Sequence, residues 1–118
     1  YGSTIYADPK YYGMIAHNPD PSDRSMIEEN WAYLSWTPGL RSESHDVYFS
    51  DNFNDVNDGT IEAFQGNHTM TYFIVGLPNF PYPEGLSPDT IYYWRIDEIE
   101  ADGTTIHKGK VWSFTIKP

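Results

Sequence analysis

The 118-residue chain contains no cysteine. A disulfide scaffold and any cysteine-ligated zinc site are therefore excluded. Basic residues are scarce, with 7 Lys and Arg against 17 Asp and Glu and a net charge of −10. That balance disfavours nucleic acid and anionic membrane surfaces, because both need a cationic face. No apolar run approaches the roughly 20 residues of a membrane span, and no membrane insertion is expected. No signal peptide is visible; the chain opens abruptly at Tyr1, as expected of a piece excised from a longer protein. Helix signals are nearly missing too. The only helix-like patch, SDRSMIEENWA, carries an S-x-x-E pattern at Ser25–Glu28 and is too short to be more than a turn.

Aromatic residues are abundant at 17%, with 10 Tyr and 4 Trp. Flat side chains of this kind suit a pleated surface. Short alternating runs recur between Pro, Gly, Asn and Asp clusters. They predict strands at 14–19, 31–36, 44–50, 61–66, 69–77, 90–99 and 110–116, with an Asp- and Asn-rich loop over 51–60. About seven strands at this spacing predict an all-β, antiparallel β-sandwich. One domain over 14–118 fits the length. Residues 1–13 carry four tyrosines and stand apart. They are expected to be the end of a preceding domain, an extra edge strand, or a strand that pairs with another copy.

Catalytic patterns are wanting. There is no G-x-S-x-G, no H-E-x-x-H and no glycine-rich phosphate loop. Asp97 and Glu98 are adjacent on a predicted strand and so point to opposite faces, not across a scissile bond. The four histidines, at 17, 45, 68 and 107, stand singly, outside metal-ligand spacing. No enzyme is expected. Calcium is the one candidate ion, with Asp51, Asp55 and Asp58 as oxygen ligands. The EF-hand register fails there, and Asn and Asp also serve plain turns.

Leu86, Pro88, Thr90 and Tyr92, followed by Trp94 and Ile96, with Gly103 at the next turn, form a pattern that resembles fibronectin type III domains. Leu34, Trp36 and Pro38 resemble that family's second strand with its buried tryptophan, and His45, Val47 and Phe49 its third. The resemblance covers about 14–118. The wording LSWTPG, SHDVYFS, YYWRIDEI and GKVWSFT also resembles modules of large exported bacterial proteins, which sit among sugar-binding and carbohydrate-active domains. The resemblance implies a seven-stranded sandwich and a non-catalytic spacer or interaction module, extracellular or at the cell surface. Its partners would be neighbouring domains, glycans, or further copies of itself added strand to strand into a filament or surface layer.

On that frame Tyr92 is the candidate for a tyrosine corner, closing the connection ahead of its strand through its phenol. Tyr92, Trp94 and Ile96 point inward, and Tyr93, Arg95 and Asp97 outward into water. Glu98 continues the inward row, where the family usually has a small residue. A buried carboxylate needs a partner, and His45 on the neighbouring third strand is the expected one; a strand-end Glu98 reaching water is the alternative. The outer face of the third and sixth strands would offer Tyr48 and Tyr93, flanked by Asp46, Arg95 and Asp97, as a stacking surface for sugar rings. Phe80 and Tyr82, in a loop stiffened by Pro78, Pro81 and Pro83, are a second candidate. Trp31 and Tyr33 would form a similar patch on the opposite sheet or lie beneath residues 1–13. Asn67-His68-Thr69 is a glycosylation sequon and places Asn67 in an exposed turn.

Overall fold

Alternation of apolar and polar side chains makes each strand two-faced, and two such sheets bury their apolar faces against one another. The computed structural model, which describes residues 13–118, has this arrangement. Strands β1 (His17–Asp20), β3 (Ala32–Thr37) and β6 (Tyr72–Val75) form a small sheet in the order β1–β3–β6. The larger sheet runs β2 (Ser25–Ile27), β9 (Trp112–Ile116), β7 (Ile91–Glu100), β4 (Ser42–Ser50) and β5 (Phe64–His68), with β8 (Ile106–His107) also on β7. A short helix, α1 (Phe53–Asp58), follows β4.

The core lies between the sheets. From the small sheet come Ala32, Leu34, Trp36 and Val75, and from the large one Val47, Phe49, Tyr92, Trp94, Ile96, Trp112, Phe114 and Ile116. Phe49 stacks on Tyr92 with centroids 5.4 Å apart, and Trp94 meets Trp112 edge to face at 4.8 Å. Each such buried side chain contributes about 1.5–3 kcal/mol of apolar transfer. The tyrosine corner is formed: the Tyr92 hydroxyl accepts from the Ser87 backbone N–H at 2.8 Å.

Nine strands occur among the described residues where about seven were expected. The turn expected around Ser25–Glu28 is instead the edge strand β2, which pairs parallel to β9, so the large sheet is not wholly antiparallel. Capping preference is a local bias; the free edge of β9 supplies a full set of backbone partners. Arg24 N donates to Ser113 O at 2.7 Å, and Lys117 N to Ile27 O at 2.9 Å. Strand β8 exists because β7 outruns β9: β9 pairs with its first half, β8 with Glu98 and Ile99. Between them Gly109 presses on β7, where an added Cβ would lie 2.0 Å from the Ile96 carbonyl oxygen.

The loop expected over 51–60 contains α1. Asn52 caps it by accepting from Asp55 N at 3.0 Å, and Gly59 closes it with φ 67°. Val56 is buried beneath it. The strand expected at 61–66 begins later, at Phe64, because Ala63 and Phe64 donate back to Thr60 in a turn. Of the leading segment, only Gly13 lies within the described residues, and its carbonyl accepts from Leu40 N at 2.6 Å. The roles expected for residues 1–13 otherwise fall outside them.

Candidate functional site

Three groupings on the sandwich carry polar or aromatic chemistry. The first is inside it. His45 and Glu98 are register partners on β4 and β7, and both side chains are buried. His45 Nδ1 is hydrogen bonded to Glu98 Oε1, and Glu98 Oε2 accepts from Gly39 N at 2.8 Å. Trp36 meets the imidazole edge to face at 5.5 Å. The expected pair is therefore present, and Glu98 does not reach water. Gly39 is needed because a Cβ there would lie 2.1 Å from the Met14 carbonyl oxygen. Both carboxyl oxygens are engaged within the fold, as a buried polar group requires.

The second grouping corrects an expectation. Tyr93, Arg95 and Asp97 do occupy the outer face of β7, while Tyr92, Trp94 and Ile96 face the core. That outer face is not wet at 95 and 97: Arg95 is 4% exposed and Asp97 5%. Helix α1 lies over them. Arg95 Nε and Nη2 donate to the two oxygens of Asp97 at 2.9 and 2.7 Å. Its Nη1 donates to the carbonyls of Val56 and Asn57 at 2.7 and 2.9 Å. These are last-turn carbonyls of α1, where intrahelical donors run short; the Val56 carbonyl also accepts from Gly59 N at 3.2 Å. Asp97 Oδ1 also accepts from Gly109 N at 2.9 Å. The Tyr48 ring, directly across the ladder, lies 4.4 Å under the guanidinium, and Phe64 packs on it at 5.3 Å. Tyr48 is half-buried, and burial, then the Asp97 charge, raises its hydroxyl pKa; the Arg95 charge opposes this. Tyr93 is half-buried against Phe53 at 5.4 Å. Of the groups expected to flank a sugar, Arg95 and Asp97 are thus hydrogen bonded inside the protein, while half-buried Asp46 accepts from Asn67 at the surface.

Phe80 is exposed at the tip of its loop, but Tyr82 turns inward onto Phe49 and Tyr92 at 5.3 and 5.9 Å. Burial and the nearby Asp51 raise the Tyr82 pKa. The two are not brought together. Asp51 and Asp58 are exposed at the two ends of the α1 segment, and Asp55 sits within it. Among the described residues no three His, Asp or Glu side chains converge as a metal site would require. Asn67 is exposed, yet it lies in β5 and not in a turn, and its amide donates to Ser44 and Asp46. Among the described residues the surface has no concave pocket, and no helix is long and apolar enough to cross a membrane.

The third grouping is the outer face of the small sheet. Trp31, Tyr33 and Tyr72 are 37%, 49% and 37% exposed. Tyr33 and Tyr72 have nearly parallel rings, 10° apart in plane, with centroids at 5.2 Å. In the next row Asp20, Ser35 and Tyr72 stand directly across from one another. The alternation expected over 31–36 had identified Trp31 and Tyr33; β3 itself begins at Ala32. Tyr72 was not legible, because the run from Met70 to Val75 is too uniformly apolar and aromatic for period two to choose its faces.

No family model and no curated protein matches the sequence. Among solved structures, an Fn3-like protein from Clostridium thermocellum matches at a TM-score of 0.56 and 14% identity, covering 88% of this chain and 93% of that one. An alpha-L-rhamnosidase from Dictyoglumus thermophilum matches at a TM-score of 0.62 and 12% identity, over 87% of this chain and 12% of the rhamnosidase. At such identities the likeness is one of fold. With the tyrosine corner and the two sheets in place, the chain folds as a fibronectin type III-like β-sandwich.

Proposed function

We propose that this domain is a non-catalytic accessory module of a larger exported polypeptide, setting the distance between its neighbours. The observation that carries the reading is where the described chain crosses the sandwich ends. Gly13 is held by Leu40, beside the turn that leads into β4, whose first residue Ser42 pairs with Glu100 at the end of β7. Lys117 is held by Ile27, beside the start of β7, where Ile91 pairs with Thr115. The ten residues of β7 separate the two ends, about 30 Å at strand rise. A module entered at one end and left at the other adds its full length to the chain.

Three further points support the reading. The buried acids and bases are occupied with one another, as His45 with Glu98 and Arg95 with Asp97. A cleft, where catalytic groups are usually gathered, is not found among the described residues. A comparable fold recurs as a small part of a bacterial rhamnosidase, the setting of an accessory domain.

The test is hydrolysis by the purified chain on a panel of aryl glycosides and polysaccharides at high protein concentration. Release at the buffer rate is expected. Release of reducing sugar that follows the chain through two successive purification steps would overturn the proposal.

A further inference from the structure

We propose that the outer face of the β1–β3–β6 sheet is a docking surface for neutral glycan chains, with Tyr33, Tyr72 and Trp31 as its stacking groups. The inference rests on the reading of the domain as an accessory module and supplies the partner that the module holds. The candidate sugar surface on the other sheet is closed by α1 and the Arg95–Asp97 pair. The small sheet has no such cover among the described residues, and Tyr33 and Tyr72 stand exposed side by side on it.

Ring geometry comes first. Tyr33 and Tyr72 are nearly parallel at a centroid separation of 5.2 Å, wider than the ~3.5–4.0 Å between stacked carbon atoms. The rings are therefore laterally offset, and each keeps part of a face open. Each also holds the other in place, so that little side-chain freedom remains to be lost on binding. Trp31, exposed just ahead of β3, stands two residues before Tyr33. The result is an exposed aromatic patch, not set in a concave pocket. Pyranose rings present C–H-rich faces to such groups while their hydroxyls stay at the edge.

Polar groups lie where those hydroxyls would fall. Asp20 and Ser35 complete the cross-strand row that ends at Tyr72, and the Asp20 carboxylate is exposed. A carboxylate accepts from hydroxyl groups and a serine hydroxyl both donates and accepts. Tyrosine adds an apolar body with a polar tip.

Area and charge choose among possible partners. An aromatic side chain offers ~150–250 Å² when fully presented. At the exposures of Trp31, Tyr33 and Tyr72 the three together offer roughly 250 Å². A stable protein partner needs about 800 Å² on each side, whereas two or three sugar rings are matched by this patch. Exposed Glu28 and Glu29 adjoin Trp31, and the whole chain carries −10. Uronic-acid polymers and other polyanions would be repelled, so the ligand is an uncharged hexose or pentose polymer.

The experiment is native affinity electrophoresis of the full chain through gels cast with soluble β-glucan, xylan or mannan, with polygalacturonate as the charged comparison. Retardation by at least one neutral polymer is expected, weakened tenfold or more in Tyr33→Ala and in Tyr72→Ala, with none in polygalacturonate. Ile91→Thr, on the outer face of the other sheet, should migrate as the parent does. Thermal melts verify that each variant is folded; should Tyr33→Ala fail to fold, Trp31→Ala takes its place with the same expectation. Absence of retardation by every neutral polymer, retardation unchanged in the folded aromatic variants, or equal retardation by polygalacturonate would each overturn the proposal. These failures leave the accessory-module reading standing, since that reading falls to hydrolysis and not to lack of binding.

Discussion

At the scale of single residues, the most consequential side chain is Arg95. Its guanidinium joins the ion pair with Asp97, the last carbonyls of α1 and the face of Tyr48. Removing it leaves the buried Asp97 carboxylate with only the Gly109 N–H and takes a donor from two carbonyls at once. Arg95→Ala is expected to lower unfolding free energy by about 3–5 kcal/mol, measured by urea denaturation. A loss below 1 kcal/mol would mean that the pair is solvated after all. Tyr92 makes the complementary, smaller case. Its ring is core and its hydroxyl makes one bond, to Ser87 N. Tyr92→Phe keeps the packing with Phe49 and removes that bond, for an expected loss of about 1 kcal/mol. Equality of the two variants in the same titration would contradict the burial pattern.

At the scale of elements, the β7–β8 turn is held by one aspartate. Asp102 Oδ1 accepts from the backbone N–H groups of Thr104 and Thr105 at 2.9 and 2.8 Å, and Oδ2 accepts from the Thr105 hydroxyl. The Thr105 hydroxyl, then the two backbone bonds, lower its pKa from 3.8 to about 2. A depressed carboxylate pKa means that the unfolded chain takes up the proton first as acid is added. The stabilisation is therefore complete above about pH 4 and is lost as pH falls toward 2. Asp102→Asn should remove that part of the acid dependence, and the difference between parent and variant in thermal melts should shrink from pH 5 to pH 2. A constant difference over this range would show that the carboxylate charge is irrelevant to the turn. The same logic explains why the β7–β8 connection keeps its shape in solvent: its bonds are local and need no burial.

At the scale of the whole molecule, the proposed spacer role requires that the crossing points at the two ends stay apart. The chain lacks cysteine, so a pair of labels can be placed cleanly. Leu40→Cys with Lys117→Cys, both at exposed positions, should give one narrow distance distribution centred near 30 Å, the length of β7, by spin-label or fluorescence measurement. A broad distribution or a centre under 20 Å would remove the basis for the spacer function. The core that maintains this length draws on both sheets. Leu34 and Trp36 on β3 meet Phe49 on β4 and Trp94 on β7, which makes global unfolding, not sheet separation, the expected response to heat.

Much of this was legible in the chain because strand alternation is a local property. Ala32, Leu34 and Trp36 on β3, and Tyr92, Trp94 and Ile96 on β7, could be assigned to the interior from a period of two. Glu98 could be paired with His45 from the same parity plus the family's strand order. What period two cannot say is whether an outward face stays wet. Arg95 and Asp97 point away from the core as expected, yet they are buried, because α1 from some 40 positions earlier folds over them. That cover depends on Asn52, Val56 and Gly59 acting together as cap, anchor and stop, and on the end of β4 from which the helix follows. Likewise β2 is a strand only because β9 offers it an edge. Side-chain parity is written residue by residue, whereas solvent exclusion is a relation between segments far apart in the chain, and only the folded arrangement settles it.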